Sequence, residues 1–133
     1  MAILESKKVS GYAYTLKSEE FMMNVDVPKN LGGENLAPDP HRYLEAALAG
    51  CTVITVEMYA KRKKIPLESV NVKISILKEG PENQMLREVE FFGPLTEEDK
   101  SALMVIADKC PVHNFLVRGS AIETREIAQN NNI

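Results

Sequence analysis

The stretch from Asp39 to Pro66, DPHRYLEAALAGCTVITVEMYAKRKKIP, constrains the fold more than any other part of the chain. Asp39 can cap free helix amides, and Pro40 at the first helical position has no amide to leave unpaired. Lys61 to Lys64 place cations where the helix dipole is negative, and Pro66 ends the run. The spacing predicts a helix of about 25 residues. Leu44, Ala47, Leu48, Cys51, Thr55 and Met58 recur at helical spacing along one stripe, read here as the inward one. Ala46, Ala49, Val53, Ile54, Val56 and Ala60 make the other faces apolar as well. A helix that is apolar nearly all round is a buried one, and this helix is more apolar than a single layer of sheet requires.

Strand patterns flank it on both sides. KVSGYAYTL and FMMNVDVP alternate as two strands joined by the polar KSEE, Lys17 to Glu20. Pro28 to Pro40 holds three prolines and a Gly-Gly pair, a loop long enough to be functional or to cross to a partner. LESVNVKISILKE and QMLREVEFFGPL follow as a second strand pair, turned at Gly80 to Asn83. TEEDKSALMVIADK reads as a helix capped by Thr96, with Asp99 at the capping-box position and Leu103, Ile106, Ala107 and Cys110 on one face. Pro111 can start a short helix, PVHNFLV, that Gly119 ends, and SAIETREI is expected to be a last strand. Strands separated from helices, rather than alternating with them, give an α+β fold in a single domain over residues 1–133.

The net charge is −3, with a pI near 5.5, which argues against nucleic acid as a partner. The basic KRKK is accounted for by the helix end. MAILESKKVSG lacks a basic segment followed by an apolar run, so no secretory signal is expected. Glu45, Thr52 and Glu57 break the longest apolar stretch, so no membrane span is expected either. Both points direct the chain to the cytoplasm, where two cysteines are core residues, metal ligands or redox groups rather than a disulfide framework. The two Cys and two His show no paired metal-ligand spacing, so no metal is expected.

Cys51 and Cys110 therefore carry two readings. Free cysteine is among the most buried residue types, and each can fill a small core volume. As reacting thiols they would have to meet through helix packing. Cys51 sits mid-helix, beyond reach of the dipole, and would need a cationic neighbour to become a thiolate. Cys110 precedes Pro111, where it can cap the short helix, and His113 lies close enough to touch its sulfur.

The run Pro40 to Cys51, Pro-x-x-x-Leu-x-Ala-Ala-Leu-Ala-Gly-Cys, together with ADKCPVH at Ala107 to His113, resembles the OsmC/Ohr family of thiol-dependent peroxidases (osmotically inducible protein C and organic hydroperoxide resistance protein). The order of elements agrees over nearly the whole chain. The resemblance implies an intertwined homodimer, with antiparallel sheets around a long buried central helix. It implies Cys51 as the peroxidatic thiol, which becomes a sulfenic acid on meeting a small organic hydroperoxide, and Cys110 as the resolving thiol, which closes a disulfide that an external dithiol reductant opens. No cofactor is implied. The family activates its first cysteine with an arginine from the N-terminal strands, oriented by a glutamate ten residues before that cysteine. Residues 1–38 hold no arginine, and His41 occupies the glutamate position. The substitutes on offer are His113 and Arg42 of the partner subunit, because Arg42 lies about 13 Å along the helix axis from the Cys51 of its own chain. The same resemblance leaves a second function open, a dimer that binds a small apolar or thiol-containing ligand without turning it over.

Overall fold

The computed structural model describes residues 3–129. Three short strands come first: β1 (Glu5–Ser10), β2 (Ala13–Ser18) and β3 (Phe21–Val25), an antiparallel meander in that order. The alternation of KVSGYAYTL predicts one strand where there are two. Gly11, at φ 56°, supplies the left-handed turn that folds Ser10 back against Ala13. All six residues of β1 are exposed, so no described residue covers either face of this strand.

The loop from Asp26 to Asp39 is organised around one buried carboxylate. Asp26 accepts hydrogen bonds from the backbone N–H of Val27 (2.7 Å), Leu36 (3.1 Å) and Glu34 (3.3 Å). These amides, Val27 foremost, hold its carboxyl below the usual carboxylate range against the opposing effect of burial. Gly33 lets the loop close: a Cβ there would lie 2.0 Å from the Val27 carbonyl oxygen and 2.8 Å from Asp26 Oδ1. The Tyr43 hydroxyl, donating to the Asn24 carbonyl, ties β3 to the helix that follows.

That helix, α1 (Pro40–Lys63), has the limits its sequence predicts. Asp39 accepts from the Arg42 amide at 3.1 Å, and Lys64 closes the far end in a left-handed conformation. Its burial differs from the expectation. Leu48, Thr52, Val56 and Ala60 form the inward stripe, one residue round from the stripe containing Cys51 and Thr55. Ala46, Ala47, Ile54 and Met58 are exposed. One chain supplies only a single layer against α1, so only one face is covered.

The covering layer comes from β4 (Ser69–Lys78) and β5 (Gln84–Phe92), an antiparallel pair, with α2 (Glu97–Ala107) and α3 (Pro111–Arg118) alongside. Asp99 completes a capping box with Thr96 in place of the usual Glu. Val56, Ala60, Leu103 and Ala107 make the central core, with Val70, Phe91 and Ile106 packed around it. The strand expected over SAIETREI does not form. Residues 119–129 pair with no strand, and Ile122 and Ile127 are 86% and 94% exposed. A strand needs a ladder partner for its amides and carbonyls, and this segment pairs with none of the open edges that β1, β3, β4 and β5 keep.

The accessible area is 10637 Å² for a 14.8 kDa chain. A compact monomer of that mass exposes about 7,000 Å². The chain thus leaves roughly half as much again uncovered, including Val9, Phe21, Met22, Ile54, Met58, Phe115 and Val117.

Candidate functional site

The inward face of β5 is set by alternation: Met85, Arg87, Val89 and Phe91 turn towards α1, and the residues between them are exposed. A charged side chain therefore enters an otherwise apolar layer. Arg87 keeps only 10% of its side chain exposed, and a buried guanidinium is tolerable only when its donors are met. Nη2 donates to Asp108 Oδ1 at 2.6 Å and reaches His113 Nδ1 at 3.1 Å, and Nη1 donates to Thr52 Oγ1 at 3.2 Å. Four elements meet at this one side chain: β5, α1, the end of α2 and the start of α3.

Thr52 is fully buried and turns its hydroxyl back to the Leu48 carbonyl at 2.7 Å, which lets Oγ1 accept from Arg87. The same oxygen lies 3.9 Å from Cys110 Sγ. Cys110 is wholly buried at the N-cap of α3, and its sulfur accepts the His113 backbone N–H at 3.2 Å. The atom of His113 that touches the thiol is thus its amide, while its ring faces Arg87.

Cys51 precedes Thr52 on α1 and is partly buried, with Sγ 3.9 Å from Thr55 Oγ1. Both cysteines are free thiols. Arg42 lies at the start of α1, 2.5 Å from Glu45 Oε1 and 3.9 Å from Asp39 Oδ1, with 59% of its side chain exposed. Within one chain it meets neither cysteine.

Beside the Arg87 cluster a cleft of about 680 Å³ runs between α1, the β4–β5 pair, α2 and α3. Its walls are apolar (Leu44, Leu48, Met85, Val89, Met104 and Leu116), with Arg87, Asp108 and His113 among its polar lining. His41, Lys78 and Glu79 are the others that carry ionisable groups. His41 Nε2 contacts Glu79 Oε2 at 2.8 Å and Oε1 at 3.0 Å, and this hydrogen bond holds the imidazole pKa above its ordinary value. The volume suits a small organic molecule. Among the described residues no three His, Cys, Asp or Glu side chains gather as a metal site, and no helix is long and apolar enough to cross a membrane.

The profile of the OsmC-like protein family matches residues 32–125, well over half of the chain. The chain belongs to the OsmC-like protein family. Solved structures of OsmC-like proteins share the α+β fold of this chain, whose described residues form small antiparallel sheets and three α-helices. An OsmC like protein from Mycoplasma pneumoniae is 21% identical, with a TM-score of 0.70 over 88% of this chain and 87% of that one. An organic hydroperoxide resistance protein OsmC from Legionella pneumophila is 23% identical, with a TM-score of 0.68 over 90% of each chain. An organic hydroperoxide resistance protein from Elizabethkingia anophelis, crystallised with thiocyanate bound, is also 23% identical, with a TM-score of 0.65 over 90% of each chain. No curated protein matches the sequence.

Arg87 is the site residue that the sequence reading of this OsmC-like chain missed. Its signal was present: counting back in twos from Phe91 and Val89 puts position 87 on the inward face, where an arginine is out of place. Thr52 was missed for a different reason. A stripe drawn through Cys51 leaves it to one side, and only the packed helix shows that it lies at the centre.

Proposed function

We propose that this OsmC-like protein is a thiol-dependent peroxidase for small organic hydroperoxides. The Cys51 thiolate attacks the O–O bond and takes one oxygen, forming a sulfenic acid and releasing the alcohol once the leaving oxygen gains a proton. The Cys110 thiol then displaces that oxygen as water, and the Cys51–Cys110 disulfide is returned to two thiols by an external dithiol. Support comes from family membership and from one contact above all, Thr52 Oγ1 against Cys110 Sγ at 3.9 Å. Cys51 is the next residue on the helix, so Cys110 has one residue's width to cross. The His113 amide already donates to the Cys110 sulfur at 3.2 Å, which orients that sulfur at the start of α3. Arg42 of the partner subunit would supply the cation for Cys51 once released from Glu45. The uncovered area and the bare faces of α1 and β1 support an intertwined homodimer with α1 at its centre.

The experiment is turnover of cumene hydroperoxide with a dithiol reductant. The wild type consumes peroxide, Cys51→Ser does not, and Cys110→Ser stalls at the sulfenic acid. Turnover by Cys51→Ser at the wild-type rate refutes the assignment.

One observation favours a second reading, a non-catalytic dimer that binds a small apolar or thiol-containing ligand. The cleft is lined by neither Cys51 nor Cys110. Saturable binding of an apolar probe by a chain that consumes no peroxide, unchanged in Cys51→Ser, selects this reading.

A further inference from the structure

Arg87 does more than fill its pairing requirement, because a guanidinium carries donors and no acceptor. Its Nη2 has two hydrogens: one is taken by Asp108 Oδ1 at 2.6 Å, and the other meets His113 Nδ1 at 3.1 Å. For that second contact to be a hydrogen bond, Nδ1 must present a lone pair, so the ring proton sits on Nε2. The opposite tautomer, or an imidazolium, would set two donors face to face beside a guanidinium that Asp108 and Thr52 hold in place. His113 lines the cleft beside Leu116 and Val117, and among the described residues its Nε2 has no hydrogen-bond partner.

We propose that the Asp108–Arg87 pair fixes His113 as its Nε2–H tautomer, so that this N–H serves the cleft as a hydrogen-bond donor for an oxygen acceptor on an otherwise apolar ligand. Hydroperoxides, alcohols and ketones with hydrocarbon bodies belong to that class, and hydrocarbons alone do not. His113 then selects oxygenated over plain apolar molecules, and Arg87 is a positioning residue acting through it. The peroxidase reading bears on this only in naming the hydroperoxide as the natural member of the class.

The first test is nitrogen NMR of ¹⁵N-histidine-labelled protein. His113 should show an unprotonated, hydrogen-bonded Nδ1 and a protonated Nε2. Arg87→Met should release it into a mixture of tautomers, and Arg87→Lys, which keeps a donor, should restore the single form. A protonated Nδ1 in the wild type, or a spectrum indifferent to Arg87→Met, overturns the proposal.

The second test compares two unreactive probes of like shape, cumyl alcohol and isopropylbenzene. Cumyl alcohol should shift the His113 Nε2 resonance, and His113→Leu should weaken its binding about five-fold, the equivalent of one neutral hydrogen bond. Isopropylbenzene should bind with no such dependence. Equal dependence of both probes on His113, or none for either, overturns the donor role. Loss of peroxide turnover with tautomer and probe selectivity intact counts against the peroxidase reading alone.

Discussion

Thr52 Oγ1 lies 3.9 Å from Cys110 Sγ, so the residue facing the second cysteine across the helix packing is a threonine and not the first cysteine. The same hydroxyl receives Arg87 Nη1 at 3.2 Å. Thr52→Val keeps the volume and removes the acceptor, leaving a donor of a nearly buried cation unmet. The expected loss of stability is about 1–3 kcal/mol in urea unfolding, with Thr52→Ser close to the wild type. Equal stability of Thr52→Val and the wild type would show that the hydroxyl carries no structural duty.

The His41–Glu79 pair links the start of α1 to the loop after β4. Folding raises the His41 pKa, chiefly through the Glu79 hydrogen bond. A raised pKa means that the pair's contribution is complete below the ordinary histidine value of about 6.5 and fades as pH rises through the higher folded value. An NMR titration should give His41 a midpoint above the ordinary value, and Glu79→Gln should bring it down. Both side chains are about half exposed or more, so salt should weaken the effect.

Asp26 predicts the opposite pH dependence. Its carboxyl is held low by the Val27, Leu36 and Glu34 amides, so its contribution is complete above about pH 4 and is lost as pH falls through the lower folded value. Acidification should open the 26–38 loop before the β4–β5 layer unfolds. Asp26→Asn should open it at neutral pH, read as faster amide exchange at Glu34 and Leu36. Unchanged protection in Asp26→Asn would remove the carboxylate from its organising role.

The bare outer face of α1 predicts association. Light scattering should give twice the 14.8 kDa chain mass, and Ile54→Glu or Met58→Glu should shift the species towards the single-chain mass. A wild type that is monomeric at working concentration would leave the uncovered area without an explanation.

The helix limits, the second strand pair and both short helices were legible because caps, prolines and alternation are local signals. Asp39, Pro40, Thr96 and Pro111 each act within a turn of where they stand. The strand over SAIETREI was misjudged because alternation reports a capacity to pair, while pairing itself needs the segment to lie along a strand edge, and residues 119–129 lie along none of those described. The inward stripe of α1 was drawn one residue off, since a helix apolar on most sides gives no preferred direction until its neighbours are in place. The site followed the same rule: Cys51, Cys110 and His113 stood out as residue types, while Arg87 owes its significance to Thr52, Asp108 and His113 converging on it from other elements.

The most direct measurement is peptide mapping by mass spectrometry after one equivalent of cumene hydroperoxide, with no reductant present. A single new cross-link, Cys51 to Cys110, is expected, with dimedone capturing the Cys51 sulfenic acid in Cys110→Ser. Two free thiols after that treatment, with the peroxide unconsumed, would contradict it.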